Sequence, residues 1–295
     1  MNTAAKVRVI RADNPSALTG PGTNSFLIGE SEVAVIDPGP DDPAHVRAIL
    51  DAAEGRISHI LVTHPHLDHS AGVPRLAAAT GAPVFGFGPA DAGRSPIMRR
   101  LAETRLVAGG EGADRAFIPD VTLADGDRLS GAGWEIEALH TPGHMGSHLA
   151  FRLSDAVFCG DLVMGWSTTL ISPPDGDLVD YFRSLDRLAG LAPAVLYPAH
   201  GDPIDAPLPR LAELAAHRRL RSTQILSALD EAPGTAAELA ARIYDIAPGL
   251  LPAATRNVLT HLIALSDLGA VAPLGALSAD ARWQRSLAPP DMTTG

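Results

Sequence analysis

The stretch Ile60-Leu-Val-Thr-His64-Pro-His66-Leu-Asp68-His69-Ser-Ala-Gly72 carries the strongest structural signal in the chain. Its apolar, β-branched start predicts a buried strand, and the glycine at its end predicts a loop that leads into a helix. Alternate residues of an extended backbone point to one side, so His64 and His66 face the same way. Asp68 and His69 follow at the turn into the helix. Three imidazoles and a carboxylate within six residues favour a metal site over a solvated polar loop.

The composition indicates a folded protein with a substantial apolar core. The 295 residues are 46% hydrophobic and 19% charged, which allows one large domain or two ordinary ones. A single cysteine, Cys159, excludes an internal disulfide. The N-terminal residues contain no apolar signal region, and no long apolar run occurs, so we expect a cytoplasmic protein that does not associate with membranes. The net charge of −11 disfavours non-specific binding to nucleic acid.

Three further segments place a histidine or an aspartate after an apolar run. One strand is followed by the turn Thr141-Pro-Gly-His144, another ends in Gly160-Asp161, and a third leads to His200. A single histidine after a strand is more often solvated or hydrogen-bonded than bound to a metal. Together with the first segment, however, these strand ends predict one shared site with enough ligands for two metal ions.

These motifs resemble those of the metallo-β-lactamase fold superfamily over roughly residues 7–205. The segment from Gly22 to Gly39 is similar to the opening hairpin of that superfamily, in which Asp37 would be a carboxylate that supports the site. The resemblance implies an α/β fold, an αββα sandwich in which two mixed sheets pack face to face with helices outside.

The resemblance also implies a set of seven metal ligands. The first metal would be bound by His64, His66 and His144. The second would be bound by Asp68, His69 and His200, and Asp161 would bridge the two. Imidazole and carboxylate ligands suit two Zn²⁺ ions, with Mn²⁺ or Fe²⁺ as alternatives. Two such ions would share a bridging hydroxide, so the protein would need no side-chain nucleophile.

Two residues are predicted to take part in catalysis. Asp68 is expected to be essential for hydrolysis in addition to binding metal. His148 and His140 are not needed as ligands, so each either orients a ligand and handles protons or forms a structural hydrogen bond. Of these two we name His148 as the catalytic candidate.

The C-terminal part is predicted to be a winged-helix-like α domain. Helical patterns cover residues 208–229, 236–244 and 253–268, and the start of a wing strand follows Gly269. Thr235 and Glu238 are spaced as a capping box for the second helix. We therefore predict a hydrolase domain at residues 1–207 and a winged-helix-like domain at residues 208–290.

This organisation resembles the lactamase-beta-like subfamily, whose mitochondrial members are described as endoribonucleases that select single-stranded RNA. Glyoxalase II-type thioesterases share the same core motifs. The sequence therefore predicts a metal-dependent hydrolase of a small ester or thioester or of single-stranded RNA. A non-catalytic metal-binding scaffold is the remaining alternative.

The charge of the tail disfavours DNA binding, because residues 210–285 hold eight arginines and seven acids. We expect the tail to close one side of the active-site cleft or to form a homo-oligomer interface. Arg218, Arg219 and Arg221 either line a path for an anionic substrate or form a solvated helix face.

Two other segments are expected to shape specificity. Residues 86–119 would form a lid or side wall over the metals. Thr168, Thr169 and Tyr181 are candidates for substrate contact, although Asp177 could equally be the cap of the next helix.

Overall fold

Two mixed β-sheets form the centre of the protein, as seen in a computed structural model that describes residues 5–104 and 112–286. The first sheet contains six strands in chain order: β1 (Val7–Arg11), β2 (Asn24–Ile28), β3 (Val33–Ile36), β4 (Ile57–Leu61), β5 (Val84–Gly86) and β6 (Val121–Thr122). The second contains five, which in spatial order are β11 (Val195–Pro198), β10 (Ala156–Gly160), β9 (Leu149–Leu153), β8 (Trp134–His140) and β7 (Arg128–Gly131).

Eight α-helices are present in the described part of the chain. They are α1 (Pro43–Ala53), α2 (Leu67–Ser70), α3 (Val73–Thr80), α4 (Pro96–Thr104), α5 (Leu178–Leu191), α6 (Pro207–Glu231), α7 (Ala236–Ile243) and α8 (Leu251–Asp267). Helices α1 and α3 pack on the outer face of the first sheet, and α5 with the first half of α6 packs on the second. The αββα sandwich that the family resemblance implied is therefore confirmed.

The apolar core of the sandwich lies in three layers. The middle layer joins the two sheets, and in it the rings of Phe26 and Phe158 meet edge to face with centroids 4.9 Å apart. Alternate residues of the buried strands point outward, where Val35 belongs to the same core cluster as Ile49 of α1. Strands β2 and β3 are buried on both faces, which explains why β3 and the second half of β2 are continuously apolar instead of alternating.

The C-terminal part forms a winged helix, as predicted. Helices α7 and α8 pack on a small antiparallel sheet whose strands are β12 (Gly234–Thr235), β14 (Arg282–Arg285) and β13 (Val271–Pro273). The capping box of α7 is present, since Thr235 Oγ1 accepts from the Glu238 backbone and the Glu238 carboxylate accepts from the Thr235 backbone. Trp283 is fully buried in this second core. Residues 287–290 of the predicted domain lie outside the described residues.

Helix α6 belongs to both cores. Its first half packs Leu211 and Leu214 beneath the second sheet, whereas its last turns place Ile225 and Leu229 in the winged-helix core. Helix α4 adds Met98 and Leu101 to that same core. A boundary at residue 207 stays a prediction, and the packing of α6 runs across it.

The predicted lid is divided between two environments. Gly112 lines the cavity described below, whereas α4 packs into the winged-helix core, and residues 105–111 lie outside the described residues. Among the described helices, none combines the length and the apolarity needed to cross a lipid bilayer.

Candidate metal centre

The candidate metal centre forms where strands of both sheets end. Strand β4 leads to His64 and His66, and the short helix α2 that follows presents Asp68 and His69. The second sheet contributes the rest from the segments after β8, β10 and β11: His144, Asp161 and His200. Because β3 and β4 run parallel, as do β10 and β11, their carboxyl ends lie at the same edge of the sandwich. The fold thus brings all seven predicted ligands together.

Three imidazole nitrogens face one point on the first side of the centre. His66 Nδ1 lies 2.9 Å from His64 Nε2 and 3.0 Å from His144 Nε2. Burial lowers the pKa of each ring, to about 3 for His66 and well below the usual range for His64. Neutral imidazole is the form that binds metal, and this triad could hold an ion.

Carboxylates and imidazoles alternate on the second side of the centre. Asp68 Oδ2 lies 3.3 Å from His200 Nε2 and 3.5 Å from His69 Nε2. Asp161 Oδ1 lies 3.2 Å from His200 Nε2, and its Oδ2 lies 3.7 Å from His144 Nε2. Asp161 therefore reaches both sides of the centre, as a bridging ligand would.

The two sides differ in charge. Burial opposes ionisation at His69 and His200, but the neighbouring carboxylates outweigh it and raise their pKa, to about 9 for His200 and well above the usual value for His69. Burial likewise opposes ionisation of Asp68, but the same imidazoles lower its pKa to about 2. They hold the pKa of Asp161 well below its usual range in the same way.

This arrangement fits divalent cations. His69 Nε2 and Asp161 Oδ1 are both buried and, among the described residues, neither has a hydrogen-bond partner. Buried polar atoms are nearly always satisfied, so two unsatisfied atoms facing each other 3.6 Å apart indicate a position for an ion. Imidazole nitrogen and carboxylate oxygen are the donors that zinc, manganese and iron share.

Hydrogen bonds from behind fix the candidate ligands. Asp37 accepts from the Thr63 backbone at 2.7 Å and from His69 Nδ1 at 2.9 Å, which turns His69 Nε2 toward the centre. His144 Nδ1 donates to the Leu170 carbonyl at 2.6 Å. Such partners set the tautomer and the orientation of a ligating ring. Asp37 thus occupies the supporting position that the family resemblance implied.

His148 and His140 lie away from the opening of the centre. The fully buried His148 packs with its ring centroid 5.2 Å from that of His64, and its Nδ1 contacts Thr141 Oγ1 at 2.9 Å. At Gly160, with φ +50°, a Cβ would lie 2.5 Å from His148 Nε2, so only glycine fits beside this ring. His140 stacks on a phenylalanine and hydrogen-bonds a backbone carbonyl. A catalytic role for His148 stays a prediction.

A cavity of about 390 Å³ opens onto the centre. Five candidate ligands line it: His66, Asp68, His144, Asp161 and His200. Thr168 and Thr169 also line it, in agreement with their predicted position, whereas Tyr181 is fully buried in the core of the second sheet. Asp177 caps α5, which is the alternative that the sequence left open.

The rest of the cavity wall was predicted only in part: Arg218 was one of three arginines expected either to line a path for an anionic substrate or to form a solvated helix face. It includes the loop of residues 16–19, the half-exposed ring of Trp166, and Asn257 from α8. Arg218 of α6 also lines it and is only 4% exposed, whereas its neighbour Arg219 is exposed. One signal was available: Arg218 occupies a position on the apolar stripe of α6 formed by Leu211, Leu214 and Ile225.

Known protein families match both parts of the chain. The profile described as "Metallo-beta-lactamase superfamily" matches residues 18–200, and that described as "Beta-lactamase associated winged helix domain" matches residues 235–283. A "Beta-lactamase-like protein 2 homolog" of Drosophila melanogaster is 31% identical over 281 residues, which cover 90% of this chain and 89% of that protein.

Two further relatives extend the comparison. The crystal structure of a metallo-beta-lactamase family protein from Thermus thermophilus has a TM-score of 0.74 and 29% identity, and the match covers 95% of this chain and 98% of that one. An "Atrochrysone carboxyl ACP thioesterase" of Aspergillus fumigatus is 30% identical over 233 residues, which cover 75% of this chain and 65% of that protein.

Proposed function

This chain belongs to the metallo-beta-lactamase superfamily and is a hydrolase of that fold, and we propose that it cleaves a small-molecule thioester with two divalent metal ions. The observation that carries the proposal is the cavity of about 390 Å³, which opens directly onto the candidate ligands. Cavities of this size bind small molecules. The relative named as an ACP thioesterase supports a thioester as the bond that is cleaved.

The seven candidate ligands are proposed to hold two ions. His64, His66 and His144 would hold one, Asp68, His69 and His200 the other, and Asp161 would contact both. Zinc suits this donor set, and manganese or iron are the alternatives. When bound, the ions supply Lewis acidity and lower the pKa of water in the site.

Among the ligands on the second side, Asp68 is the most accessible. Its side chain is 30% exposed, whereas those of His69, Asp161 and His200 are almost fully buried. We assign to Asp68 the orientation of the attacking water and the acceptance of its proton. Water adds to the thioester carbonyl, the carbon–sulfur bond breaks, and the thiol leaves with a proton, so the products are a carboxylic acid and a thiol.

Single-stranded RNA is the less favoured substrate. Helix α8, which would enter a nucleic-acid groove in a DNA-binding winged helix, contains a single arginine, Arg256, and no lysine. The tail also has no excess of positive charge. RNA cleavage and a non-catalytic scaffold are therefore the two alternatives that the following test distinguishes from the thioesterase.

The test measures bound metal and turnover on the same purified protein. We expect close to two transition-metal ions per chain and thiol release from acyl thioesters with kcat/KM of about 10⁴ M⁻¹s⁻¹ or more. Chelator should abolish release, and Asp68→Ala should do so without loss of fold. Cleavage of labelled single-stranded RNA that requires Asp68, without thioester turnover, would replace the proposal by the nuclease. If the protein binds metal but cleaves neither thioesters nor RNA, the non-catalytic metal-binding scaffold is the remaining interpretation.

A further inference from the structure

Arg218 is a buried cation on the wall of the cavity. It is 4% exposed, its Nη1 donates to Asn257 Oδ1 at 2.8 Å, and its Nη2 donates to the Thr169 carbonyl. Its guanidinium also lies over the ring of Tyr181, 5.7 Å from the centroid. Within residues 5–104 and 112–286, no carboxylate forms an ion pair with Arg218.

A buried charge without a counter-charge is costly for a protein. Arginine keeps its charge even when buried, so it cannot escape this cost by losing a proton. Arg221, which lies about one turn further along α6, is another cation, stacked 3.9 Å from the centroid of the Tyr244 ring. Removing a cation from water without an anion nearby is unfavourable, and neutral carbonyl and amide partners offset that only in part.

The position of Arg218 on its helix strengthens this point. Leu211, Leu214 and Ile225 occupy the same stripe of α6 and pack in apolar cores. An apolar side chain at position 218 would continue that stripe without a desolvation cost. The arginine instead borders the cavity that holds Asp68, His144 and Asp161.

We infer that Arg218 forms a subsite that selects substrates by an anionic oxygen group, a carboxylate or a phosphate, located away from the bond that is cleaved. The guanidinium has five N–H donors in a planar fork, of which the two bonds to Asn257 and Thr169 use two. Asn257 is a positioning residue, because its amide also donates to Tyr244 Oη at 2.7 Å and so holds the guanidinium in place. The inference rests on the proposed thioesterase function for its choice of substrates.

Three thioesters test the inference and separate the two sources of the anion. Glutaryl-N-acetylcysteamine carries a carboxylate on the acyl side, pentanoyl-phosphopantetheine carries a phosphate on the thiol side, and pentanoyl-N-acetylcysteamine is neutral. We expect the metal-loaded protein to prefer one of the two anionic thioesters to the neutral one by about tenfold or more in kcat/KM. The preferred anionic thioester shows whether the anion lies on the acyl side or on the thiol side of the substrate.

Arg218→Gln should lower kcat/KM for the preferred anionic thioester by about 10- to 100-fold, mainly through KM, because it removes a charge-assisted contact. Turnover of the neutral thioester should change by less than about threefold. Arg218→Lys keeps the charge without the fork and should fall between wild type and Arg218→Gln. Arg219→Gln is the matched control, since this exposed arginine stacks on Phe182 and should leave all three substrates unaffected.

Two outcomes would overturn the inference. If Arg218→Gln lowers all three activities equally, then Arg218 acts structurally, through Thr169 and the His144 contact that Thr169 makes at 3.1 Å. If wild type shows no preference between the charged and neutral thioesters, no anion subsite exists.

A binding experiment keeps the inference separate from the proposed reaction. Calorimetric titration with thioether analogues of the same three compounds, which cannot be hydrolysed, measures affinity even if no thioester is cleaved. An affinity advantage of an anionic analogue that is lost in Arg218→Gln, but not in Arg219→Gln, supports the subsite although the thioesterase has failed. Equal affinity for the three analogues in wild type overturns the subsite whatever the reaction.

Discussion

Two groups of side chains on the cavity wall differ in origin and in charge. The ligand group comes from loops at the ends of sandwich strands and combines carboxylates with imidazoles around Asp161. The helix group, Arg218 and Asn257, comes from α6 and α8 and contains a single cation held by neutral partners. The ligand group is held from behind by residues such as Asp37, whereas the helix group depends on how two helices pack.

The residues proposed for the reaction and those proposed for substrate choice therefore rest on separate structural supports. Substitutions in the ligand group should reduce turnover of every substrate while the fold persists. Substitutions in the C-terminal helices should change stability or selectivity while the metal ions remain bound. The following experiments test that separation.

The largest effect is expected for Asp161→Ala. Because Asp161 reaches both sides of the centre, its loss should lower kcat/KM by at least about 10³-fold, the upper end of the effect of losing one electrostatic contact to the transition state. Metal analysis should show fewer ions per chain, and circular dichroism should show that the fold persists. Asp155→Ala, at an exposed acid in the turn before β10, is the matched control. Retained turnover in Asp161→Ala would contradict the assigned centre.

Trp283→Ala should affect the C-terminal winged helix and leave the ligand group unchanged. This side chain is fully buried in the winged-helix core, so its removal should lower the free energy of unfolding by about 3–5 kcal/mol. Urea denaturation measures the loss, and bound metal per folded chain should stay unchanged. Gln284→Ala, at the half-buried neighbour on β14, should have little effect. Loss of metal from folded Trp283→Ala would show that the two parts are not separable.

Asp37→Asn tests the support behind the ligand group. The amide cannot accept from both Thr63 and His69 as the carboxylate does, so His69 should lose its fixed orientation. We expect metal affinity to fall by about 10- to 100-fold. A competitive chelator titration measures this, with the exposed acid Asp51 replaced by asparagine as control. An unchanged metal affinity would show that Asp37 does not orient His69 for metal binding.

The smallest effect is a pH dependence of folding stability that originates in the C-terminal helices. Burial lowers the pKa of His261 on α8 to about 3, and Arg218, Arg221 and His217 of α6 act in the same direction. The unfolded chain therefore binds a proton near pH 6.5 that the folded protein does not, so stability falls as pH decreases from about 6.5 toward 3. His261→Asn should flatten this decline by at most about 1.4 kcal/mol per pH unit.

Denaturation curves at pH 7, 6, 5 and 4 measure this slope. The asparagine amide can still contact Ser222, which lies 2.9 Å from His261 Nδ1. Ser222→Ala is the control, because it removes this contact but keeps the titratable ring of His261. An identical slope in wild type and His261→Asn would show that His261 titrates normally in the folded state.

The convergence of the candidate ligands could be predicted because its signals are local. A buried strand followed by a turn fixes where its last side chains point, so the spacing of His64, His66 and Asp68 already contains their geometry. Asp161 and His200 follow strands in the same manner. The winged helix was also predictable, because the capping box at Thr235 and the breaks at proline and glycine mark where its helices begin and end.

The position of the helix group on the cavity wall could not be predicted in this way, because it depends on contacts between distant parts of the chain. Arg218 meets Asn257 and Thr169 only after α6, α8 and the loop after Asp161 have packed together. From the sequence, Arg218, Arg219 and Arg221 are equivalent members of one basic run. Packing separates them: Arg218 borders the cavity, Arg219 stacks on Phe182, and Arg221 stacks on Tyr244.

The continuity of α6 constrains how this chain can be rearranged in evolution or by recombination. One helix of 25 residues enters both cores, so its rotational phase must suit both at once. An insertion of one residue between positions 216 and 224 would rotate everything downstream by about 100°, because an α-helix has 3.6 residues per turn. Ile225 and Leu229 would then leave their core. Length changes should therefore accumulate in the loops at either end of α6, and a winged helix from another protein should graft onto this hydrolase only if the phase of α6 is kept.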